Sequence, residues 1–323
     1  MNITRRQAGA GLLGALALPG FARAQSFPSR TIRLVVGFAA GGPTDVIARV
    51  VAQDMSASLG QSVIVENRTG ANALVATEAV AREQADGYTL MVTTLSHSVN
   101  SILLPNARYH PLRDFAPVSL LAVLPLIAVT GATTPYRTLA QLVDAAKAKP
   151  GEVTYGSAGN GGSAHLAAAL LAVQSGTEMT HVPFRGNAPA LTEVMSGRVS
   201  FMFYPMIGLA DHIARGSLRP LGVSTAERSP DYPQVPTMRE IGYPGFEDYS
   251  QGLGIAAPAG TPEPVVARLN AAVRASLEKP ETNQRLKSLG AIVTASTPAE
   301  FGAFLERDLD RWRRVIEAAK ITG

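Results

Sequence analysis

Apolar positions along this chain follow two alternating periods. Thr31 to Gly37 (TIRLVVG) is a short, nearly continuous β-branched run, the pattern of a strand buried on both faces. Directly after it Val46, Ile47, Val50, Val51, Met55 and Leu59 recur at helical spacing, which predicts a helix over 44–59. The exchange continues: a strand over 62–66, a helix over 71–85 and a strand over 88–93. It resumes with helical stretches over 139–147, 163–173 and 189–195, separated by extended segments at 153–155, 181–182 and 199–203. Alternation of this kind argues for an α/β fold, with parallel sheets covered by helices on both faces. Two further helices, near 262–278 and 298–318, carry start signals. Thr261-Pro262-Glu263 offers an N-cap followed by proline, and Thr297 with Glu300 forms a capping box.

Two extended apolar stretches, Pro117–Val129 and Gly252–Ala257, are placed to carry the chain from one α/β unit into another and back. The expected division is 25–122 with 252–323 as one domain and 123–251 as the second. Both halves open with a strand, a glycine turn and a helix, although no tandem repeat is visible.

Residues 1–24 read differently. Arg5 and Arg6 precede an apolar stretch from Ala8 to Leu18, which Pro19 and Gly20 break before Ala22-Arg23-Ala24. That is the layout of an export signal cleaved near Ala24/Gln25, and its apolar stretch is short of the roughly 20 residues a membrane span needs. Thr4-Arg5-Arg6 is similar to a twin-arginine signal except at Ala8, so the export route stays open. The expected location is the periplasm.

Composition narrows the function. The 323 residues are 46% hydrophobic and 17% charged, enough to bury two ordinary cores. With no cysteine, disulfides, thiolate metal sites and cysteine nucleophiles are excluded. The net charge of +4 owes three units to Arg5, Arg6 and Arg23, so the remainder is near neutral and offers no basic stripe for nucleic acid.

Two glycine loops between a strand and a helix could hold chemistry. In Gly37-Phe38-Ala39-Ala40-Gly41-Gly42-Pro43-Thr44-Asp45 the backbone can turn sharply and present N–H groups to a carboxylate at a helix N-terminus. The plain alternative is a tight turn with Thr44 as N-cap, and no Gly-Lys-Ser/Thr follows to make a P-loop. In Ser157-Ala158-Gly159-Asn160-Gly161-Gly162-Ser163 the spacing superficially matches a dinucleotide fingerprint, but Glu178 precedes the next strand instead of ending it. Tyr155 stands where a nucleophile elbow around Ser157 requires glycine. A second anion cradle is the better reading. His97, His110, His165, His181 and His212 show no metal-ligand spacing, His165 reads as a packing residue, and no acidic pair forms an acid–base dyad. Arg185 follows a strand end, where α/β binding sites gather.

The motifs together resemble a known family. Pro28–Val36, Gly41-Gly42-Pro43-Thr44-Asp45, Val65-Glu66-Asn67-Arg68, Ala85–Leu90, Asp114–Val118, Gly159-Asn160-Gly161, His165-Leu166, His181–Gly186 and Ala257–Pro262 stand in the order found in Bug-type periplasmic solute receptors of tripartite tricarboxylate transporters. The resemblance implies a two-domain Venus flytrap that holds a mono- or dicarboxylate in its cleft and passes it to membrane permease subunits, as a monomer without a cofactor. It also implies ligand contacts at Phe38, Gly41, Gly42, Thr44, Asp45, Thr94, Ser157, Asn160, Gly161, Ser163 and Arg185. Relatives often carry Phe-Asp-Asn where this chain has Phe203-Tyr204-Pro205, so Tyr204 is expected in the cleft in place of an acidic contact. A secreted α/β hydrolase and a sensor for a membrane signalling partner are the alternatives; the first needs a base near Ser157, which the sequence does not place.

Overall fold

The computed structural model describes residues 27–248, 250–318 and 321; the leader read over 1–24 lies outside them. The chain begins with β1 (Ile32–Val36), α1 (Pro43–Leu59), β2 (Val63–Asn67), α2 (Leu74–Ala81), β3 (Thr89–Thr93) and α3 (Leu95–Leu103). β1 lies between β2 and β3 in parallel register, with Leu34 beside Val65 and Leu90. Ile32, Leu34, Val35 and Val36 are fully buried, which is why the run is apolar rather than alternating. α1 stops where Gly60 turns left-handed at φ 67° and returns its N–H to Ser56 O.

Next come β4 (Phe115–Leu124) and β5 (Leu126–Gly131), separated by Pro125 alone. α4 (Leu139–Ala148), β6 (Thr154–Ser157), α5 (Ser163–Ser175), β7 (Thr180–Pro183), α6 (Asn187–Met195), β8 (Met202–Pro205), α7 (Ala210–Ala214) and β9 (Leu218–Val223) follow. The chain closes with β10 (Gln251–Pro258), α8 (Glu263–Glu278), α9 (Pro280–Ser288), β11 (Ile292–Val293) and α10 (Pro298–Ala318).

One sheet has the order β11-β4-β10-β3-β1-β2. Only β1, β2 and β3 are parallel; β10 runs antiparallel to both neighbours, so the expected parallel sheet is mixed. The reason is topological: β4 carries the chain out and β10 brings it back, and adjacent exit and return strands must run in opposite directions. β5 is central to a second, antiparallel sheet, β8-β5-β9. A bridge between Tyr155 and Phe201 joins the parallel pair β6-β7 to its edge.

α3 lies outside the elements read from the apolar pattern: its stripe of Leu95, Val99, Ile102 and Leu103 spans only about two turns, and Ser96, His97, Ser98 and Asn100 are buried as well, His97 Nε2 meeting Pro111 O at 2.9 Å. At α10 the capping box forms, Glu300 N–H donating to Thr297 Oγ1 and Thr297 N–H to Glu300 Oε2. At α8 it does not follow the sequence reading. Thr261 turns its hydroxyl back to Pro258 O, and Pro262 occupies the cap position. α10 straps the two sheets together: Phe301 and Leu305 pack with Leu120 of β4, whereas Trp312 and Ile316 pack with Phe201 and Phe203. No described helix is long and apolar enough to cross a membrane.

Candidate ligand-binding site

Four helices begin around one small cavity. α1, α3, α5 and α6 have Gly42, Thr94, Gly162 and Gly186 as N-caps, and none of these makes a side-chain cap hydrogen bond. Side-chain caps form at Thr138 before α4 and Thr297 before α10, and α2, α7, α8 and α9 also lack them, so it is the convergence of four such ends that marks this place. An uncapped N-terminus leaves N–H groups free and carries about half a positive charge. First-turn residues of all four helices line the cavity: Pro43 and Thr44, Leu95 and Ser96, Ser163 and Ala164, and Asn187. Phe38, Asn72, Ala158 and Gln251 complete the wall, so no lining residue is ionisable. Such a site favours an anion through dipoles and N–H groups alone.

The cavity measures about 20 Å³, room for a water-sized group. It is small because the two halves touch. Gln251 donates to Thr44 Oγ1 and accepts from Ser163 Oγ, both at 3.3 Å, tying α1 to α5. Ala39 N–H donates to Arg185 O across the cleft at 3.2 Å. Gly186 makes that approach possible, since a Cβ there would stand 3.0 Å from Ala39 N.

Of the residues singled out from sequence, Phe38, Gly42, Thr44, Thr94 and Ser163 meet at this cavity. The helix begins two residues earlier than a Thr44 cap would give, and this frees the Thr44 hydroxyl for Gln251. Gly41 and Asp45 stand behind it. Asp45 accepts from Gly41 N–H, Arg49 Nε and Asn67 Nδ2, each at 2.9 Å, and so shapes the loop. Burial works to raise its pKa, but those hydrogen bonds outweigh it and hold the carboxyl below its ordinary value.

Asn160 and the exposed Arg185 border a second cavity of about 320 Å³, which shares Asn72 and Ala158 with the first. Gly161 N–H is taken by His165 Nδ1 at 2.9 Å. Ser157 is fully buried and lines neither cavity. Tyr204 is the clear correction: it pairs with Ile127 inside the second sheet, is buried in the apolar core and borders neither cavity. Its place in the sequence motif matched a cleft residue, but the strand alternation turns its side chain into the core.

The sequence reading placed no base near Ser157, yet His181 Nε2 lies 2.6 Å from its Oγ. Ser157 Oγ also lies 3.0 Å from Gly159 O, and its single proton can serve only one of these two contacts; the tautomer of His181 sets which. His165 stacks on His181 with centroids 4.1 Å apart. Desolvation pushes both down, His165 to about 4 and, with the charge of its neighbour added, His181 to about 3. Among the described residues no group of three His, Asp or Glu is arranged to hold a metal.

Asn72, Ser96, Asn187 and Gln251 escaped the sequence reading. Only Asn187, directly after Gly186, carried a local signal, a glycine turn at a helix start.

Residues 47–321 match the model of the tripartite tricarboxylate transporter family receptor. The chain belongs to that receptor family. It is 35% identical over 319 residues to the protein BugT of Bordetella pertussis, covering 98% of each chain. Its structure superposes on the periplasmic binding protein BugD with a TM-score of 0.88 at 32% identity, covering 92% of this chain and 99% of that one. MatC of Rhodopseudomonas palustris, solved with bound malate, gives 0.86 at 35% identity, covering 90% of this chain and all (100%) of that one. The architecture is thus the two-domain fold of periplasmic binding proteins, and the family is one of solute receptors.

Proposed function

We propose that the chain is a periplasmic receptor that closes around one small organic carboxylate and delivers it to the permease of a tripartite transporter. The observation that carries this reading is the convergence of four uncapped helix N-termini on a cavity with no ionisable side chain. The dipoles attract an anion, and hydroxyl donors come from Thr44, which only accepts from Gln251, and from one of the mutually bonded pair Thr94 and Ser96. Malate in MatC supports a carboxylate of this size. The rest of the ligand extends past Asn72 toward the second cavity, where Arg185 is the one charged residue and meets a second acid group. Phe38, Gly41, Gly42 and Asp45 form one jaw and Ser157, Asn160 and Gly161 the other, the latter acting through loop shape.

A cavity of about 20 Å³ admits no four-carbon acid, so the cleft opens to load. The bend lies at Pro125 and ahead of β10, with 25–122 and 252–323 moving as one domain against 123–251. The ligand favours closure by bridging groups that only the closed state brings together. Residues 1–24 direct export and are removed near Ala24/Gln25; the mature receptor acts as a monomer, without cofactor or turnover. Native mass spectrometry of the protein from its natural periplasm, with a thermal-shift panel of organic acids, tests this. The expected result is one co-purifying acid and a melt raised by several degrees at 100 times Kd, where linkage gives about 2.7 kcal/mol. No bound acid and no shift with any member of the panel refutes it.

A further inference from the structure

Asn72 holds an unsatisfied acceptor at the mouth between the two cavities. It is 6% exposed, and its Oδ1 has no hydrogen-bond partner. The amide orientation follows from its neighbour. Asn100 Nδ2 donates to Asn72 O at 2.8 Å, a carbonyl that can only accept. Asn100 Oδ1 must therefore be the acceptor in the 3.2 Å contact with Asn72, which assigns Nδ2 to Asn100 and leaves Oδ1 free. A Cβ built on Gly162, a cavity-lining residue at the start of α5, would stand 3.3 Å from that oxygen.

The backbone there is strained. Ala71, Asn72 and Ala73 are consecutive non-glycine residues in the left-handed region, at φ 44°, 52° and 68°. A left-handed L-residue is unfavourable, and such strain clusters where a side chain must be aimed. Burying an acceptor without a partner is also unfavourable, so the native complex should supply a donor.

A ligand donor beside a carboxylate is either a hydroxyl or an ammonium. The cavity separates them. Four helix N-termini repel a cation, and no acidic side chain lines the wall to pair with one. We infer that Asn72 Oδ1 accepts the hydroxyl of a hydroxycarboxylic acid and sets the preference of this receptor for such acids over their deoxy and amino analogues. This rests on the carboxylate reading of the same site.

Calorimetry with malate, succinate and aspartate tests it, since the three share a carbon skeleton and differ in carrying hydroxyl, hydrogen or ammonium. One malate enantiomer should bind about tenfold tighter than succinate, and aspartate more weakly than either. Asn72→Gly, which suits the left-handed backbone and deletes the acceptor, should bring the malate-to-succinate ratio toward one. Succinate binding as tightly as both malate enantiomers to the unaltered protein overturns the assignment, as does a ratio unchanged in Asn72→Gly. Aspartate binding tightest overturns the exclusion of the ammonium. If none of the three binds, and no other carboxylate in the panel does, the carboxylate reading falls and this inference with it.

Discussion

Gly162→Ala tests the site with the least disturbance to the fold. Gly162 has φ −70° and ψ 160°, which any residue adopts, so alanine adds no backbone strain. The new methyl would stand 3.3 Å from both Asn72 Oδ1 and Gly159 O. It enters a cavity of about 20 Å³ in which a water-sized group is all that fits. Alanine is also a poorer N-cap than glycine, which costs about 0.5–1 kcal/mol of stability. Binding loses much more. Overpacking typically costs 1–3 kcal/mol, and displacing a carboxylate oxygen from charge-assisted N–H donors about 1.5–3 kcal/mol. The sum is about 2.5–6 kcal/mol, a rise in Kd of roughly 70-fold or more. Gly60→Ala is the control: Gly60 sits at the far end of α1 at φ 67° with nothing within 4 Å of a Cβ, so it lowers stability by about 1 kcal/mol without touching the cleft. Calorimetry for affinity and thermal melts for stability read the two effects separately. A folded Gly162→Ala protein with unchanged affinity would refute the idea that ligand approaches the start of α5.

Asp45→Asn keeps one acceptor oxygen for Gly41 and Arg49 but sets an amide donor against Asn67 Nδ2 and removes the charge facing Arg49, and should destabilise the fold by about 2 kcal/mol, less than a fully buried pair because Arg49 is half exposed; urea melts measure it. His97 and His165 are buried with pKa values lowered to about 4, chiefly by desolvation. Both states are neutral above the unfolded value of 6.5, whereas below it the unfolded chain binds protons the folded one refuses. Stability should therefore fall as pH drops from 6.5 toward 4, by about 2 kcal/mol per histidine at pH 5, and His165→Gln should flatten part of that slope in denaturation curves. Arg185→Ala should weaken a dicarboxylate severalfold and a monocarboxylate little, with the difference shrinking at high salt; equal losses for both would place the second acid elsewhere.

Local order was legible in the chain itself. The β-branched run at Ile32–Val36, the stripe of α1 and the capping box at Thr297 are decided by neighbours within a few residues, so periodicity and cap chemistry reveal them. The glycine loops showed in the same way, because a sharp strand-to-helix turn demands particular residues at particular places. The order of motifs also carried the family, and with it the two-domain fold.

What met at the cavity was a tertiary outcome. Thr44 and Gln251 are 207 residues apart, and Asn72 joins Asn100 across 28 residues, so no window along the chain holds the site. The stripe of α3, Leu95, Val99, Ile102 and Leu103, is only about two turns long, and its polar residues are buried as well rather than turned to solvent, so no polar face announced a helix. The mixed sheet followed from where β10 re-enters, a matter of path and not of propensity. Tyr204 shows the limit most plainly: its motif pointed to the cleft, while pairing with Ile127 turned it into the core. Periodicity records what each residue needs nearby, whereas the site is set by which ends of which helices the packed sheets bring together.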